Sequence, residues 1–325
     1  MHYISRSNLE NLITRIAETW PVYLPFMSGE KANYHRYEGN LDHDGLRSIR
    51  PTASVKNFLF PPSEYVGSFP KEVRKSIPDQ VVIGPKRCDI FGVEVFDHVF
   101  AEGEFKDPFY LERKDKLLII SADCPQPKES CFCNLLDLRP YVEKGSDLNL
   151  IPLDDGYLIE TLSKKGETCL KDHTDLLREP TDGEEKQKKA IRSNAEKILE
   201  DQNRGKISGP VPEEEKFWKE KVDGCVECFA CLFACPTCYC FLLYDAGVKK
   251  GFDRVRIWDA CYYAAYARVG GGMNPRPDFL SRFKNRFLCK FDYFKRYYGV
   301  HACSGCGRCL KGCSANIDIR EVMWR

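Results

Sequence analysis

The chain has 325 residues, enough for two domains, and its lysines and arginines (49) nearly balance its aspartates and glutamates (48). Hydrophobic residues make up 43% of the sequence, which is enough to build cores and excludes an intrinsically disordered protein. The balanced charge gives no sign of a nucleic-acid or acidic-membrane partner. The N-terminus lacks the apolar segment of a signal peptide, and no apolar run reaches the roughly 20 residues of a membrane span. We therefore expect a cytoplasmic protein with no membrane partner.

The first 80 residues contain one predicted helix and a long irregular segment. Ser7 and Glu10 have the spacing of a capping box, an apolar stripe follows, and Pro21 comes after its end, so we predict a helix over the first twenty residues. Residues 20–80 are rich in proline, glycine, asparagine and aspartate. Residues 56–64 include two consecutive prolines, and because the residue before a proline avoids the helical region, we expect extended or looped structure there.

Residues 81–162 alternate between strand and helix signals. Short apolar runs at 81–84, 117–120 and 157–162 predict buried strands, and the apolar spacing at 93–100 predicts a short helix. Strands separated by helical stretches favour an α/β core, in which ligands tend to bind at the ends of strands. Cys88 and Cys124 each follow a predicted strand.

A second capping box begins the last predicted helix of the α/β domain. Thr181 and Glu184 open a charged helix over residues 182–203, and the glycine- and proline-rich residues 205–212 are typical of a linker. We therefore predict an α/β domain over residues 1–208 and a second domain over residues 209–325, which begins with a short helix at 213–222.

Two cysteine runs near the C-terminus carry the strongest chemical signal in the chain. Each has the spacing C-x2-C-x2-C-x3-C, which ligates [4Fe–4S] clusters in bacterial-type ferredoxins. The first run comprises Cys225, Cys228, Cys231 and Cys235, and the second comprises Cys303, Cys306, Cys309 and Cys313. Two copies of this spacing predict two cubane clusters and therefore electron transfer.

The fourth cysteine of each run is expected to ligate the cluster of the other run, as in two-cluster ferredoxins. Cluster one is then held by Cys225, Cys228, Cys231 and Cys313, and cluster two by Cys303, Cys306, Cys309 and Cys235. The exchange would hold both clusters in one rigid unit. A pair of zinc sites is the alternative, but zinc favours two separated cysteine pairs arranged as a tetrahedron.

The 67 residues between the runs, 236–302, are too many for the spacer of a compact ferredoxin. The composition of this insert, for example at 262–267 and 283–288, is helical. The expected fold class is therefore α+β, with an N-terminal α/β domain followed by a helical two-cluster ferredoxin domain.

Four cysteines of the N-terminal half are candidate ligands of a third [4Fe–4S] cluster: Cys88, Cys124, Cys131 and Cys133. The alternative is that they pack as small buried side chains, since the side chains of a C-x-C pair point apart. We expect packing roles for the other five cysteines, two of which (Cys238 and Cys240) are close enough in sequence to shield cluster two. These five are Cys169, Cys238, Cys240, Cys261 and Cys289.

Other functional patterns are weaker. The six histidines have no metal-ligand spacing, and the chain contains no dinucleotide fingerprint, no Walker loop and no serine–histidine–aspartate arrangement.

Residues 249–296 carry twelve lysines and arginines against four aspartates, interleaved with aromatics. This composition leaves open the alternative that the chain is an iron–sulfur enzyme acting on nucleic acids. We favour a basic insert that docks on a partner protein or sets cluster potentials, and we expect no nucleic-acid partner. A flavin-binding reductase with its own clusters is the other alternative.

A set of motifs extends over nearly the whole chain: residues 56–64, 83–89, 130–133, 145–148, 258–261 and 274–276, followed by Arg282, Arg286 and Lys290. In these motifs the chain resembles the 4Fe–4S dicluster beta subunits of cytoplasmic sulfhydrogenases, a family that also includes the corresponding iron–sulfur subunit of anaerobic sulfite reductase. Two departures concern Lys86–Arg87, where the family usually has an arginine–proline pair, and Ser314, where proline is usual.

This resemblance implies an electron relay rather than a catalyst. The partners it implies are a flavin-containing reductase subunit, supplied by NAD(P)H or ferredoxin, and a catalytic subunit. The catalytic subunit is a nickel–iron hydrogenase in one branch of the family and a sirohaem sulfite reductase in the other. Catalytic residues would lie in those other subunits.

Overall fold

The computed structural model describes residues 1–48, 50–70, 76–206 and 209–322. Within them the chain forms one sheet of seven strands and one of three. The strands are β1 His2–Ser5, β2 Val22–Ser28, β3 Lys31–Arg36, β4 Ser63–Phe69, β5 Gln80–Ile83, β6 Leu117–Ala122, β7 Leu148–Pro152, β8 Gly156–Thr161, β9 Phe241–Val248 and β10 Gly251–Trp258.

Helices connect and cover these strands. The longest is α7, and in the described part of the chain no helix is both long and apolar enough to span a membrane. The helices are α1 Arg6–Ala17, α2 His43–Arg47, α3 Lys56–Leu59, α4 Arg87–Phe100, α5 Pro108–Lys116, α6 Lys164–Lys171, α7 Asp182–Gln202, α8 Glu215–Val222, α9 Ala230–Phe233, α10 Phe279–Leu288, α11 Phe294–Tyr298 and α12 Arg308–Lys311.

The seven-stranded sheet has the order β1-β8-β7-β6-β5-β2-β3. Its four central neighbours, β7, β6, β5 and β2, are parallel, whereas the pairs at either side are antiparallel. Strands β5, β6 and β8 coincide with the three predicted strands, so the expected α/β core is confirmed. Strand β7 was missed.

Both faces of this sheet are covered, which is why its central strands β5 and β6 are mostly apolar. Successive side chains of a strand point to opposite faces. Val81 and Ile83 of β5 therefore join the core beneath α1, whereas Val82 joins the core beneath α4 and α5. The parallel strands β5 and β6 end at the same edge, and the chain continues from there into Cys88 and Cys124.

The N-terminal 70 residues differ from the prediction in two ways. Residues 2–5 form β1, which pairs with β8, so the first helix begins at Arg6 and is capped by Ser5, whose hydroxyl accepts from Asn8 N (3.2 Å), rather than by Ser7. The segment expected to be irregular contains β2, β3 and β4, and residues 56–59 are helical. Strands β3 and β4 are polar at many positions, and β2 and β4 also pair with the later strands β5 and β10, which local patterns do not reveal. Residues 71–75 lie outside the described part.

The helix predicted over 182–203 is confirmed as α7. Its capping box is complete, since Glu184 N donates to Thr181 Oγ1 (3.3 Å) and Thr181 N donates to Glu184 Oε2 (2.8 Å). Residues 207 and 208 of the predicted linker lie outside the described residues, and the domain boundary at 208 stays a prediction.

The insert between the cysteine runs is not helical throughout. Strands β9 and β10 form a hairpin, and β4, from the N-terminal half, pairs with β10 to complete the three-stranded sheet. Residues 262–267 form turns. Helix appears only from Phe279, as α10, a π-helical turn at Cys289–Tyr293 and α11. The expected helical character therefore fails for residues 241–258, which form the hairpin of β9 and β10.

A buried ion-pair network fastens this small sheet to the α/β core. Glu64 of β4 accepts from Arg256 Nε of β10 (2.9 Å) and from Arg113 Nη2 of α5 (3.0 Å), and Arg256 also pairs with Asp107. The side chains of Glu64 and Arg256 are only 4% and 5% exposed. Removing one partner of such a network leaves an uncompensated buried charge.

We therefore expect Glu64→Gln to lower the free energy of unfolding by at least about 2 kcal/mol. The matched control is Asp245→Asn, which breaks the exposed Asp245–Arg254 pair of the same hairpin and should cost less than about 1 kcal/mol. Anaerobic chemical unfolding of both variants measures the difference, and equal losses would contradict a structural role for the buried network.

Candidate metal centres

The eight C-terminal cysteines line two adjacent cavities. The first cavity is lined by Cys225, Cys228, Cys231 and Cys313, and Cys309 also lies in its wall. The second cavity is lined by the last run and the fourth cysteine of the first: Cys303, Cys306, Cys309 and Cys235. The structure thus brings together each foursome that ligand exchange predicts. The cavities enclose about 470 and 280 Å³, including space open to solvent.

The two runs share one backbone conformation. In the first, the residues before and after the second cysteine, Glu227 and Phe229, have φ values of 52° and 57°. In the second run the equivalent residues are Gly305 and Gly307, with φ of 63° and 70°. Left-handed residues set into such loops turn successive backbone N–H groups towards one point and form an anion-binding concavity. The loops are therefore shaped for a negatively charged group.

Glycine is required in the second run because this loop lies against the N-terminal half. A Cβ on Gly305 would lie 2.5 Å from Cys133 N, and one on Gly307 would fall on the carbonyl oxygen of Ser130. Phe132 N donates to Gly305 O (2.9 Å) across the same contact.

Several donors reach the cysteine sulfurs. Ile317 N donates to Cys313 Sγ (3.3 Å), and Lys290 Nζ donates to Cys235 Sγ (3.3 Å). A hydrogen bond from Cys238 and the charge of Lys290 hold the pKa of Cys235 well below its usual range. Such bonds stabilise a thiolate and are one of the controls on the potential of an iron–sulfur cluster.

Burial opposes ionisation of the other thiols in the second cavity. It raises the pKa of Cys303 and raises that of Cys309 to about 12. These thiols would be neutral and inert on their own, whereas a bound metal deprotonates a coordinating thiol outright. The cavity is therefore suited to a metal group.

The remaining chemistry also fits cubane clusters. Arg286 lines both cavities, is 4% exposed, and its Nε has no hydrogen-bond partner in the described part of the chain. Among the described residues, no three His, Cys, Asp or Glu side chains converge closely enough to hold a single metal ion. A cubane places its thiolates on four separate irons and so needs them further apart. The residues present fit two [4Fe–4S] clusters better than two zinc ions.

The four N-terminal candidate cysteines line a third cavity of about 360 Å³, including open space. Cys88 lies in the first turn of α4, Cys124 follows β6, and Cys131 and Cys133 lie on the loop that ends in a 3-10 turn. The side chains of the C-x-C pair reach one cavity because Phe132 between them is not extended (φ −145°, ψ 31°). The expectation that such side chains diverge therefore does not apply here.

Cations surround this third cavity. Lys86 is almost fully buried and donates to Leu46 O (2.6 Å) and Asp123 O (3.1 Å), while Arg50, also buried, has an Nε with no hydrogen-bond partner among the described residues. Burial raises the pKa of Cys124 to about 12 and raises that of Cys88. Buried cations beside four thiols favour an anionic group, as in the other two cavities.

The second and third cavities share a wall. Cys306 lines both, and Gly305 lines the third. Behind them, the buried Arg308 pairs with Asp89 of α4 (3.0 Å) and donates through Nη2 to Pro51 O (2.7 Å). The second cysteine run is thus anchored directly to the N-terminal half.

The other five cysteines line none of the three cavities. Cys261 is buried and, with Cys238 and Cys240, packs in the core that also contains Cys303, whereas Cys169 lies in α6. A hydrogen bond from Cys261 lowers the pKa of Cys240 to about 7. The expected shielding role of Cys238 and Cys240 stays a prediction.

The cations of these sites were missed as functional residues. Arg50, Lys86 and Arg308 approach the thiols only through tertiary packing. The spacing of Arg286 and Lys290 could have indicated a shared role, since basic residues four apart beside an apolar stripe lie on one helix face. The sequence suggested them only through family resemblance.

Comparison with known proteins agrees with this geometry. A family described as a 4Fe-4S dicluster domain matches residues 224–317, which defines the C-terminal part as a two-cluster iron–sulfur module. The chain is also 30% identical, over an alignment of 326 residues, to Sulfhydrogenase 2 subunit beta of Pyrococcus furiosus, covering 95% of this chain and 93% of that protein. The chain therefore belongs to the sulfhydrogenase beta subunit family, as the resemblance predicted. No solved structure matches the chain.

Proposed function

We propose that the chain is the electron-transfer subunit of a cytoplasmic multi-subunit oxidoreductase. The observation that carries the proposal is the gathering of two complete cysteine foursomes around adjacent cavities. The [4Fe–4S] clusters bound there would supply one-electron chemistry. The chain's own residues would hold them at a fixed separation, keep water from the second site and donate hydrogen bonds to their sulfur ligands.

The proposed partners follow from the family. One is a flavin-containing reductase subunit fed by NAD(P)H or ferredoxin, and the other is a catalytic subunit, either a nickel–iron hydrogenase or a sirohaem sulfite reductase. The relative from Pyrococcus furiosus is named as a sulfhydrogenase subunit, which supports the hydrogenase branch.

A third [4Fe–4S] cluster held by Cys88, Cys124, Cys131 and Cys133 extends the proposal. Cys309 borders the first and second cavities, and Cys306 borders the second and third. The three sites would therefore form a line with the second in the middle. Cys228 at one end is exposed, as is Arg139 at the other, whereas Cys235, Cys303 and Cys306 in the middle are buried. A line that reaches the surface at both ends suits a relay between two partners.

The third site gives a direct prediction for iron content. With four irons per cubane, the anaerobically purified chain should contain about 12 iron atoms rather than about 8. The double variant Cys88→Ser, Cys124→Ser should lose about four of them, because two of the four ligands are gone. Cys169→Ser, a partly buried cysteine of α6 far from the cavities in sequence, is the control and should lose none. Equal iron in the wild type and the double variant would exclude the third cluster.

The function itself is tested on the same preparation. We expect dithionite to produce EPR signals of at least two cubanes, with no flavin released by acid and no salt-sensitive binding to DNA. Released flavin would favour the reductase alternative instead. The nucleic-acid alternative is weakened by the positions of four of the twelve basic residues of the insert, Arg256, Arg282, Arg286 and Lys290, which are buried.

A further inference from the structure

Helix α10 and the π-helical turn that follows it carry three buried cations in one row. Arg282, Arg286 and Lys290 are spaced four residues apart and are 7%, 4% and 3% exposed. Residues at this spacing lie on one helix face, and single-turn π-helical segments in helices are frequent at functional sites. Burying three positive charges is costly unless each finds an anion or enough acceptors.

Arg282 is satisfied by backbone carbonyls. Its Nε donates to Tyr262 O (2.8 Å), and its Nη1 donates to Pro277 O (2.7 Å). It lines none of the cavities described above and holds the turn segment of the insert against the helix. Its role is therefore structural.

Arg286 is not satisfied in this way. Its one hydrogen bond within the described residues is a long one, from Nη2 to Cys231 O (3.5 Å), and it forms no ion pair with a carboxylate of those residues. Its side chain lies between the first and second cavities and lines both. The anionic groups that surround it are the cysteines of the two sites.

Lys290 is directed at one site only. Its ammonium donates to Cys235 Sγ (3.3 Å), Thr237 Oγ1 (3.0 Å) and Ala302 O (3.1 Å), which uses all three of its N–H groups. It lines the second cavity and not the first. Within the described residues it has no carboxylate partner, so the Cys235 thiolate is its counter-ion.

We propose that Arg286 and Lys290 are the fixed counter-charges of the two-cluster unit, and that Lys290 raises the reduction potential of the second site without raising that of the first. The proposal rests on the proposed function, since it requires clusters at both sites. A cation stabilises the more negative, reduced form of a nearby group, and a hydrogen bond to a ligand sulfur acts in the same direction. Arg286 raises both potentials, and Lys290 raises the second alone. Lys290 therefore favours residence of an electron at the buried second site.

The test is an anaerobic redox titration of the cluster-loaded chain, followed by EPR. Lys290→Met should lower the reduced-to-oxidised ratio of the second site at least about tenfold at a fixed ambient potential, which is about 59 mV for one electron. The first site should not shift. Cys235→Ala identifies which signal belongs to the second site. Lys284→Met is the matched control, because it removes the same charge from α10 but lies beside Trp218 (5.8 Å from Nζ to the ring) and lines neither cavity.

Two further variants keep the proposal testable if Lys290→Met assembles poorly. Lys290→Gln retains an N–H donor and removes the charge, so it should lower the second potential by less than Lys290→Met. Arg286→Gln should lower both potentials. Full iron content with an unchanged second potential in Lys290→Gln would overturn the proposal, and so would a fall in only one potential in Arg286→Gln. Absence of two cubane signals from the wild type would instead refute the proposed function.

Discussion

Replacing Cys235 with alanine is expected to remove the cluster of the second cavity and to leave that of the first cavity in place. Cys235 belongs to the first cysteine run, yet its side chain lies with Cys303 and Cys309 rather than with Cys225. A cubane that loses one of its four protein thiolates has one iron atom without a protein ligand and is bound less tightly. The measurement is iron content together with the EPR spectrum of the reduced chain.

Two variants complete this experiment. Cys313→Ala should have the converse effect, because Cys313 lines the first cavity together with Cys225, Cys228 and Cys231. Cys169→Ala is the control, since Cys169 lies in α6 and lines neither cavity, and it should retain both clusters. If Cys235→Ala removed only the cluster at Cys225, each run would supply its own fourth ligand and the exchange would be wrong.

Gly307→Ala is expected to destabilise the chain strongly and to reduce cluster content at the second site. Gly307 has φ of 70°, and a Cβ there would fall on the carbonyl oxygen of Ser130. Left-handed backbone costs an alanine about 1–2 kcal/mol, and the clash adds to this cost because neither backbone segment can yield easily. Anaerobic chemical unfolding and iron analysis measure both effects.

Gly299→Ala is the control that measures backbone strain without a steric clash. Gly299 ends α11 with φ of 75°, but a Cβ there would meet nothing within 4 Å. This variant should show the backbone strain of about 1 kcal/mol alone and keep its iron. A Gly307→Ala variant no less stable than Gly299→Ala would show that the second run does not press against residues 130–133.

The parts of the molecule that the sequence predicted are those governed by local rules. The cysteine runs revealed the two sites because a tight loop must carry its ligands at fixed spacing. The strands β5, β6 and β8 and the helix α7 follow from apolar runs and a capping box. The assignment of Cys235 and Cys313 came from chemical precedent for such runs, and the cavities are consistent with it.

The parts that were missed depend on distant segments. Strand β4 has its conformation because β10, almost two hundred residues later, pairs with it. The shared wall between the second and third cavities arises where Gly305 meets Phe132, and no local pattern predicts that contact. Arg308 looks like an ordinary basic residue of the second run until its pairing with Asp89 is seen.

The position of Gly305 and Gly307 against residues 130–133 also bears on biosynthesis. The chain emerges from the ribosome N-terminus first, and domains commonly fold in that order. Residues 130–133, which contact the last cysteine run, are therefore synthesised long before Cys303. Strand β4 is likewise synthesised before the hairpin that pairs with it. Contacts of such large sequence separation form slowly. Because contacts with residues 130–133 complete the second site, we expect cofactor loading there to follow folding of the N-terminal half.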